Sequence, residues 1–138
     1  VGVFRYSVEE GTASGTMDAQ VPPKVAASRH RKLVAAQRPI SKRKMDAMVG
    51  RDVEVLVEGI SDESELLLEG RWWGQAPEID GKVYLANGTA QPGEVRKAFV
   101  TKSAAYDLVA DLYEADGTLP EPPPGADPRP KRVRLPTV

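Results

Sequence analysis

The chain contains no cysteine and only one histidine, His30, among its 138 residues. Without cysteine it can form no disulfide, supply no thiolate nucleophile and ligate no iron–sulfur cluster. His30 lies between Arg29 and Arg31 in a basic segment that we interpret as helical, so we expect a solvated rather than a catalytic histidine. The sequence therefore offers no catalytic residue and no metal site.

The chain also lacks any apolar run of about 18 residues or more, which excludes a membrane-spanning helix. Residues 1–20 contain no apolar segment of the secretory kind. We therefore expect a cytoplasmic protein with no membrane partner. Since residue 1 is valine rather than methionine, we interpret the chain as a fragment of a longer protein.

Charge is segregated along the chain, although the formal net charge is only −1. Residues 1–45 carry 9 basic and 3 acidic side chains, a net charge of +6. Residues 46–113 carry 6 basic and 13 acidic side chains, a net charge of −7, and residues 114–138 carry four of each. Because phosphates repel acidic surfaces, the central region favours a basic protein over RNA as its partner.

A helix is predicted ahead of the acidic region, over residues 21–48. Val21-Pro22-Pro23 opens it, because proline is tolerated in a first helical turn. Pro39 cannot donate a hydrogen bond to Ala35, so we predict a kink, or two helices meeting near Arg38. Five apolar residues approximate one stripe along this segment: Ala26, Leu33, Ala36, Ile40 and Met48.

After Gly50 the apolar period changes to two, which indicates β-strands. Polar turns such as Ser61-Asp62-Glu63-Ser64 and Asn87-Gly88 separate the apolar runs. The five predicted strands comprise residues 53–59, 66–73, 82–86, 95–101 and 106–113. Such strands fit a small five-stranded antiparallel β-barrel of the OB or SH3-like kind over residues 49–113. The predicted fold class is therefore mainly β with helix.

Two terminal segments fall outside this barrel. Residues 2–7 alternate apolar and polar side chains and predict a short strand, which we expect to be poorly ordered within residues 1–20 because a lone strand lacks partners. Seven prolines in residues 114–138 predict a disordered, extended and basic tail. Its Lys131-Arg132-Val133-Arg134 could contact RNA phosphates, and we favour the simpler role of a solubilising tail.

The stretch 70–81 holds both tryptophans, Trp72 and Trp73, followed by the acids Glu78 and Asp80. Strand alternation places the tryptophans on opposite faces, so we expect one buried and one available. Our hypothesis is that Glu78 and Asp80, with Arg71 nearby, meet a partner protein while a tryptophan supplies a flat apolar contact. The alternative, left open here, is that one tryptophan is barrel core and the acids cap a turn.

Four stretches carry a resemblance to a known family: residues 2–7 leading into Glu9-Glu10-Gly11-Thr12, residues 50–59, residues 70–81, and Tyr106-Asp107-Leu108. Together they resemble the C-terminal third of the RimO-type ribosomal-protein methylthiotransferases. The run 76–81 is the most specific, since the related tRNA-modifying branch carries a different sequence there. Pro39, Gln75 and residues 95–99 depart from the family pattern.

The resemblance implies that residues 1–20 end a radical-SAM domain, residues 21–48 connect it, and residues 49–113 form a TRAM domain. The parent enzyme would β-methylthiolate an aspartate of small-subunit ribosomal protein twelve, using two [4Fe–4S] clusters and S-adenosylmethionine. The cluster cysteines would lie upstream, so the fragment would be catalytically inactive and bind no cofactor. We expect a monomer whose partner is that basic protein, with the ribosome or an accessory protein as further candidates.

By the same resemblance Glu9 and Glu10 would lie at the mouth of the active site, although a solvated loop explains them equally well. Two other functions stay open. The chain could be the RNA-binding TRAM domain of a tRNA-adenosine methylthiotransferase, which the charge of −7 disfavours. It could also be a free-standing acidic β-barrel adaptor with no enzyme attached.

Overall fold

The computed structural model describes residues 2–133 of the chain. A short 3-10 helix (Ala13–Thr16) precedes α1 (Pro23–Asp46). Five strands follow: β1 (Asp52–Ser61), β2 (Ser64–Trp72), β3 (Val83–Asn87), β4 (Val95–Ser103) and β5 (Leu108–Leu112). The chain divides into two compact units, Val1–Ile40 and Ser41–Val138, which are described separately.

The five strands form a closed barrel in the order β1-β2-β3-β5-β4, with β4 pairing back onto β1. The predicted five-stranded barrel is confirmed. The prediction that it is antiparallel throughout is wrong at one pair, because β3 and β5 run parallel, with Val83 opposite Leu108. An odd number of strands cannot close with antiparallel neighbours everywhere. A five-stranded barrel is the architecture of the OB-fold, one of the two kinds that the sequence favoured.

The apolar residues of alternating strand positions fill the barrel. Val53, Val55 and Val57 of β1 point into the core, while Asp52 before them and Glu54 among them are exposed. The other strands contribute Val83, Leu85, Ala98, Val100, Leu108, Ala110 and Leu112. The period of two that predicted β1 therefore reflects an apolar interior and a polar exterior.

Helix α1 is continuous over 24 residues and contains Pro39. Two helices meeting near Arg38 are therefore not present, because good helix formers on both sides of the proline keep the helical path. No residue of α1 is buried, and Leu33 and Ile40 of the predicted apolar stripe are exposed. Within residues 2–133 no helix has the length and apolarity to cross a membrane.

The strand predicted over residues 2–7 is not formed, because no segment of the described chain pairs with it. Its Val3 carbonyl instead accepts a hydrogen bond from Nε2 of His30, at 3.0 Å. His30 is half-buried, so it is not the solvated histidine that we expected. It joins the N-terminal segment to α1.

Residues 114–133 form no helix or strand, in keeping with their proline content. They do not leave the barrel, however, as the expected disordered tail would. Nε of Arg129 donates to Asp111 of β5 at 2.7 Å, and the N–H of Val133 donates to the Gly50 carbonyl at 2.8 Å. These bonds hold the segment against the barrel surface. Arg134 and the rest of the predicted tail lie outside the described residues.

Candidate protein-recognition surfaces

The loop between β2 and β3, residues 73–82, is shaped by its own hydrogen bonds. Oε1 of Gln75 accepts from the backbone N–H of Trp72 at 3.3 Å, and the Gln75 N–H donates to the Trp72 carbonyl at 2.9 Å. Oδ2 of Asp80 accepts from the backbone N–H of Ala76 at 2.8 Å. Two turns in succession thus fix the loop on the end of the barrel.

The two tryptophans occupy different environments, as strand alternation predicts. Trp73 is 89% exposed, whereas Trp72 is half-buried and packs against the barrel core. Their rings meet edge to face, with centroids 5.1 Å apart and planes inclined by 73°. Trp72 therefore supports Trp73 from the barrel side, and Trp73 presents a flat aromatic surface to the solvent.

The two acids of the loop differ in their contacts. Asp80 caps the turn at Ala76, which is one of the alternatives that the sequence left open. Glu78 is exposed and makes no hydrogen bond or ion pair within residues 2–133. Its φ of +62° lies in the left-handed region, which costs a non-glycine residue about 1 kcal/mol or more. Among the described residues Glu78 is thus an unpaired carboxylate, and its backbone conformation is strained.

The cations beside this loop are already paired. Nη1 of Arg71 lies 3.1 Å from Oε1 of Glu58, and Nζ of Lys82 lies 2.6 Å from Oε1 of Glu69. The hydrogen bond to Glu69 raises the pKa of Lys82. The groove under the loop has six charged residues in its wall: Glu58, Glu69, Arg71, Glu78, Asp80 and Lys82. Four acids against two paired bases leave this groove negative.

The β1–β2 and β4–β5 loops are also acidic. The β1–β2 turn contains Asp62 and Glu63, Glu65 follows at the start of β2, and the β4–β5 connection is Ala104-Ala105-Tyr106-Asp107. OB-folds commonly bind oligonucleotides with these two loops and the face of strands 2 and 3. Neither loop contains a lysine or arginine that could neutralise a phosphate.

A second surface, which we name the tail face, is where residues 118–133 contact strands β3 to β5 and the start of β1. The Asp111 side chain is only 4% exposed there. Its Oδ1 accepts from Nδ2 of Asn87 at 2.7 Å, and its Oδ2 accepts from Nε of Arg129 at 2.7 Å. Arg129 also donates to the Pro120 carbonyl, and Lys102 pairs with Asp127 at 2.6 Å.

Arg132 occupies a second position on the tail face. Its guanidinium carbon lies 5.8 Å from the ring centre of Phe99 and 5.9 Å from that of Tyr113. Its Nη2 contacts the Tyr113 hydroxyl and lies 3.5 Å from Oδ1 of Asp52. The sequence analysis did not identify Asp52, Asp111 or Arg129 as candidate site residues. The one sequence feature that pointed to this surface was the recurrence of arginine within a proline-rich segment.

Asp52 and Tyr113 also form a titrating pair, since the Tyr113 hydroxyl donates to Oδ1 of Asp52 at 2.6 Å. Burial raises the pKa of Tyr113, and the hydrogen bond to Asp52 raises it further. Burial alone would raise the pKa of Asp52 as well. Hydrogen bonds from Tyr113 and Lys97, with the charges of Lys97 and Arg132, nevertheless hold the Asp52 pKa below its usual value.

Glu9 and Glu10 belong to the first unit and are exposed. The Glu9 carbonyl accepts from Oγ1 of Thr12 at 2.8 Å, which closes a turn ahead of the 3-10 helix. Across the described residues no three histidine, aspartate or glutamate side chains cluster as metal ligands would. With no cysteine in the sequence either, this chain does not fit an iron–sulfur cluster.

Comparison with known proteins agrees with this fold. The sequence model of the TRAM domain matches residues 49–112. Over 129 residues the chain is 52% identical to the ribosomal protein uS12 methylthiotransferase RimO of Sorangium cellulosum (strain So ce56), covering 92% of this chain and 26% of that protein. It is 46% identical over 129 residues to RimO of Anaeromyxobacter sp. (strain K), covering 94% of this chain and 28% of that protein.

A third relative, RimO of Anaeromyxobacter sp. (strain Fw109-5), is 43% identical over 141 residues, which cover 100% of this chain and 30% of that protein. The chain thus spans less than a third of the curated relatives it matches. The barrel of this chain is a TRAM domain, and the chain is homologous to the C-terminal, TRAM-containing part of the RimO-type methylthiotransferases.

Proposed function

We propose that this chain is the substrate-recognition part of a RimO-type methylthiotransferase, and that its barrel binds the basic ribosomal protein that the parent enzyme modifies. The relatives that support this are named as uS12 methylthiotransferases. By family resemblance the parent would β-methylthiolate an aspartate of that protein in the cytoplasm. The iron–sulfur clusters and S-adenosylmethionine would supply the radical and sulfur chemistry from other parts of the parent.

The charge distribution on the barrel is the observation that carries this proposal. Five of the six basic residues in 46–113 are already in ion pairs: Arg71, Lys82, Arg96, Lys97 and Lys102. Seven acids of the same region make no ion pair within residues 2–133: Glu54, Asp62, Glu63, Glu65, Glu78, Asp80 and Asp107. A surface with paired cations and unpaired acids attracts a basic protein and repels phosphate.

The contact we assign to the loop combines Trp73 and Glu78. Exposed aromatic rings are common anchors of protein interfaces, and Trp73 is held in place by Trp72. Glu78 supplies a carboxylate with no internal partner among the described residues, so it can pair with a lysine or arginine of the ribosomal protein. Asp80 stabilises the turn that carries Glu78 and follows Trp73. The ion pair with Arg71 holds Glu58 beside this loop.

The decisive experiment uses the full-length parent enzyme and purified uS12. Glu78→Lys should raise the KM for uS12 about fivefold with little change in kcat. Reversing a charge at the edge of the interface weakens the binding of the substrate and of the transition state by the same amount. Asp80→Asn, which keeps the acceptor for the Ala76 N–H, should have a smaller effect. Glu114→Lys reverses an exposed charge outside both the loop and the tail face, and serves as the matched control. A Glu78→Lys enzyme with unchanged KM would contradict the assignment of this loop.

The 138-residue chain itself separates protein from RNA as the partner. Titration with uS12 should show binding that weakens as salt is raised, while titration with tRNA should show none of comparable strength. Tight, salt-sensitive binding of tRNA without binding of uS12 would overturn the proposal. Size-exclusion chromatography of the same sample tests our expectation of a monomer.

A further inference from the structure

We propose that the tail face is a recognition site for an extended, arginine-bearing segment of a basic protein, and that residues 118–133 occupy this site in cis. The inference rests on the proposed function, since it names the segment of the basic partner protein that the barrel binds. The tail is then a tethered copy of the ligand rather than a solubilising extension.

The carboxylate of Asp111 is suited to bind a cation. The Asp111 side chain is 4% exposed, and Asn87 satisfies only one of its two oxygens. Its other oxygen accepts a hydrogen bond from Arg129, and no other hydrogen bond to that oxygen comes from the described chain. A charge-assisted hydrogen bond from an arginine is among the stronger contacts that a carboxylate can make. Besides Asn87, the strand residues that form the wall are Ala86, Thr101, Lys102 and Val109. The barrel therefore supplies the carboxylate and its amide partner, while Pro122, Pro123 and residues 125–130 of the tail line the rest of the pocket.

The position of Arg132 is suited to a guanidinium in particular. Phe99 and Tyr113 are buried side chains whose rings both face the guanidinium within 6 Å, and Asp52 lies beside them. A planar guanidinium can lie near aromatic rings and meet a carboxylate at the same time, which a lysine ammonium does less well. This second position again consists of barrel residues, from β1, β4 and the residue after β5.

The chain around the two arginines forms no helix or strand and is held by a main-chain hydrogen bond just after Arg132. Pro128 and Pro130 flank Arg129, and the N–H of Val133 donates to the Gly50 carbonyl at 2.8 Å. Gly50 has a φ of +82°, and a side chain there would collide with the carbonyl of Lys131. Because these contacts are to backbone, they set no side-chain requirement beyond the arginines. The site thus selects an extended Arg-x-x-Arg segment.

Occupation in cis has a consequence for affinity. A tethered segment competes at the high effective concentration that a short linker imposes. An external segment must displace it, so removal of the two tail arginines should increase binding of the partner. If the tail only stabilises the barrel, the same change would lower the melting temperature and leave partner binding unaltered.

The test compares three forms of the full 138-residue chain: unchanged, Arg129→Ala with Arg132→Ala, and Lys131→Ala. Lys131→Ala is the matched control, because it removes a tail cation that pairs with no acid among residues 2–133. The probes are a synthetic peptide of residues 118–133 and purified uS12. Both should bind the double variant about tenfold more tightly than the unchanged chain or the control, with circular dichroism confirming that each form is folded.

Hydrogen exchange provides a readout of the tail itself. The Val133 amide should be protected from exchange in the unchanged chain and should exchange freely in the double variant. When the peptide is added to the double variant, residues 129–133 of the bound peptide should become protected from exchange. Adding Asp111→Asn to the double variant should abolish peptide binding. If that variant melts too early to measure, Asp52→Asn tests the second position in its place.

The outcomes separate this inference from the proposed function. A folded double variant that fails to bind the peptide overturns the inference. If uS12 binds all three forms equally, the inference also fails while the proposed function stands. If the peptide binds the double variant but uS12 binds no form, the arginine site is supported and the proposed partner is wrong.

Discussion

At the scale of single residues, Trp72 and Trp73 are chain neighbours with separate tasks. Trp72 packs on the core and Trp73 faces outward. Gly74 makes this arrangement possible, since a side chain at that position would collide with the Trp72 indole. The indole thus lies over its own loop backbone, and the aromatic pair belongs to the barrel as much as to the loop.

Replacing the two tryptophans singly should therefore separate stability from recognition. Trp72→Ala removes apolar contacts from the core and should lower the free energy of unfolding by about 2 kcal/mol, less than for a fully buried ring. Trp73→Ala should change it by less than about 0.5 kcal/mol while weakening uS12 binding several-fold. Urea denaturation and uS12 titration measure the two effects. Loss of stability in Trp73→Ala would show that the ring is structural.

At the scale of elements, Pro39 is the main irregularity of α1. It lacks the N–H that would donate to the Ala35 carbonyl, and proline in a helix interior costs about 3 kcal/mol relative to alanine. Pro39→Ala should therefore stabilise the helix. The expected result is a stronger helical circular dichroism signal and slower hydrogen exchange over residues 36–43. Gln37→Ala, a change without backbone consequence, is the control and should alter neither measurement appreciably.

The strands were predictable from sequence because their pattern is local. Val53, Val55 and Val57 alternate with residues that are less buried, and the Asn87-Gly88 turn ends β3 where expected. Pairing is not local, so the parallel register of β3 and β5 left no mark in the sequence. The unpaired segment 2–7 shows the converse case, in which a strand-like pattern forms no strand for lack of a partner.

The candidate site was predictable only in part, for a related reason. Trp73 and Glu78 stood out as residue types in a loop, and the structure leaves both exposed. The turn-capping bond of Asp80 was one of two alternatives that composition could not separate. Arg129 and Asp111 are 18 residues apart, and only the folded chain shows that they meet.

At the scale of the whole molecule, the pair of Asp52 and Tyr113 links stability to pH at both extremes. The pKa of Asp52 in the folded chain lies below its ordinary value of 3.8. Its contribution to the free energy of unfolding is therefore present above that value and is lost as the pH falls through the lowered pKa. The pKa of Tyr113 in the folded chain lies above its ordinary value of 10.0. Its contribution to the free energy of unfolding is therefore present below 10.0 and is lost as the pH rises through the raised pKa.

The free energy of unfolding should therefore decline on acidification below about pH 4 and on alkalinisation above about pH 10. Tyr113→Phe should weaken both declines, since it removes the phenol and the hydrogen bond that lowers the Asp52 pKa. Urea unfolding across the pH range measures this. Tyr106→Phe, at an exposed tyrosine, is the control, and an identical pH profile for Tyr113→Phe and the unchanged chain would refute the linkage.

The insertion of β5 between β3 and β4 also dictates when the barrel can fold. Until residue 112 has been synthesised, β3 and β4 each present an unpaired edge, and such edges recruit other chains. A nascent chain that stops in β4 would thus be prone to aggregate, although four of its five strands exist. Both unpaired edges are covered only when the last strand, Leu108–Leu112, has been added to the barrel.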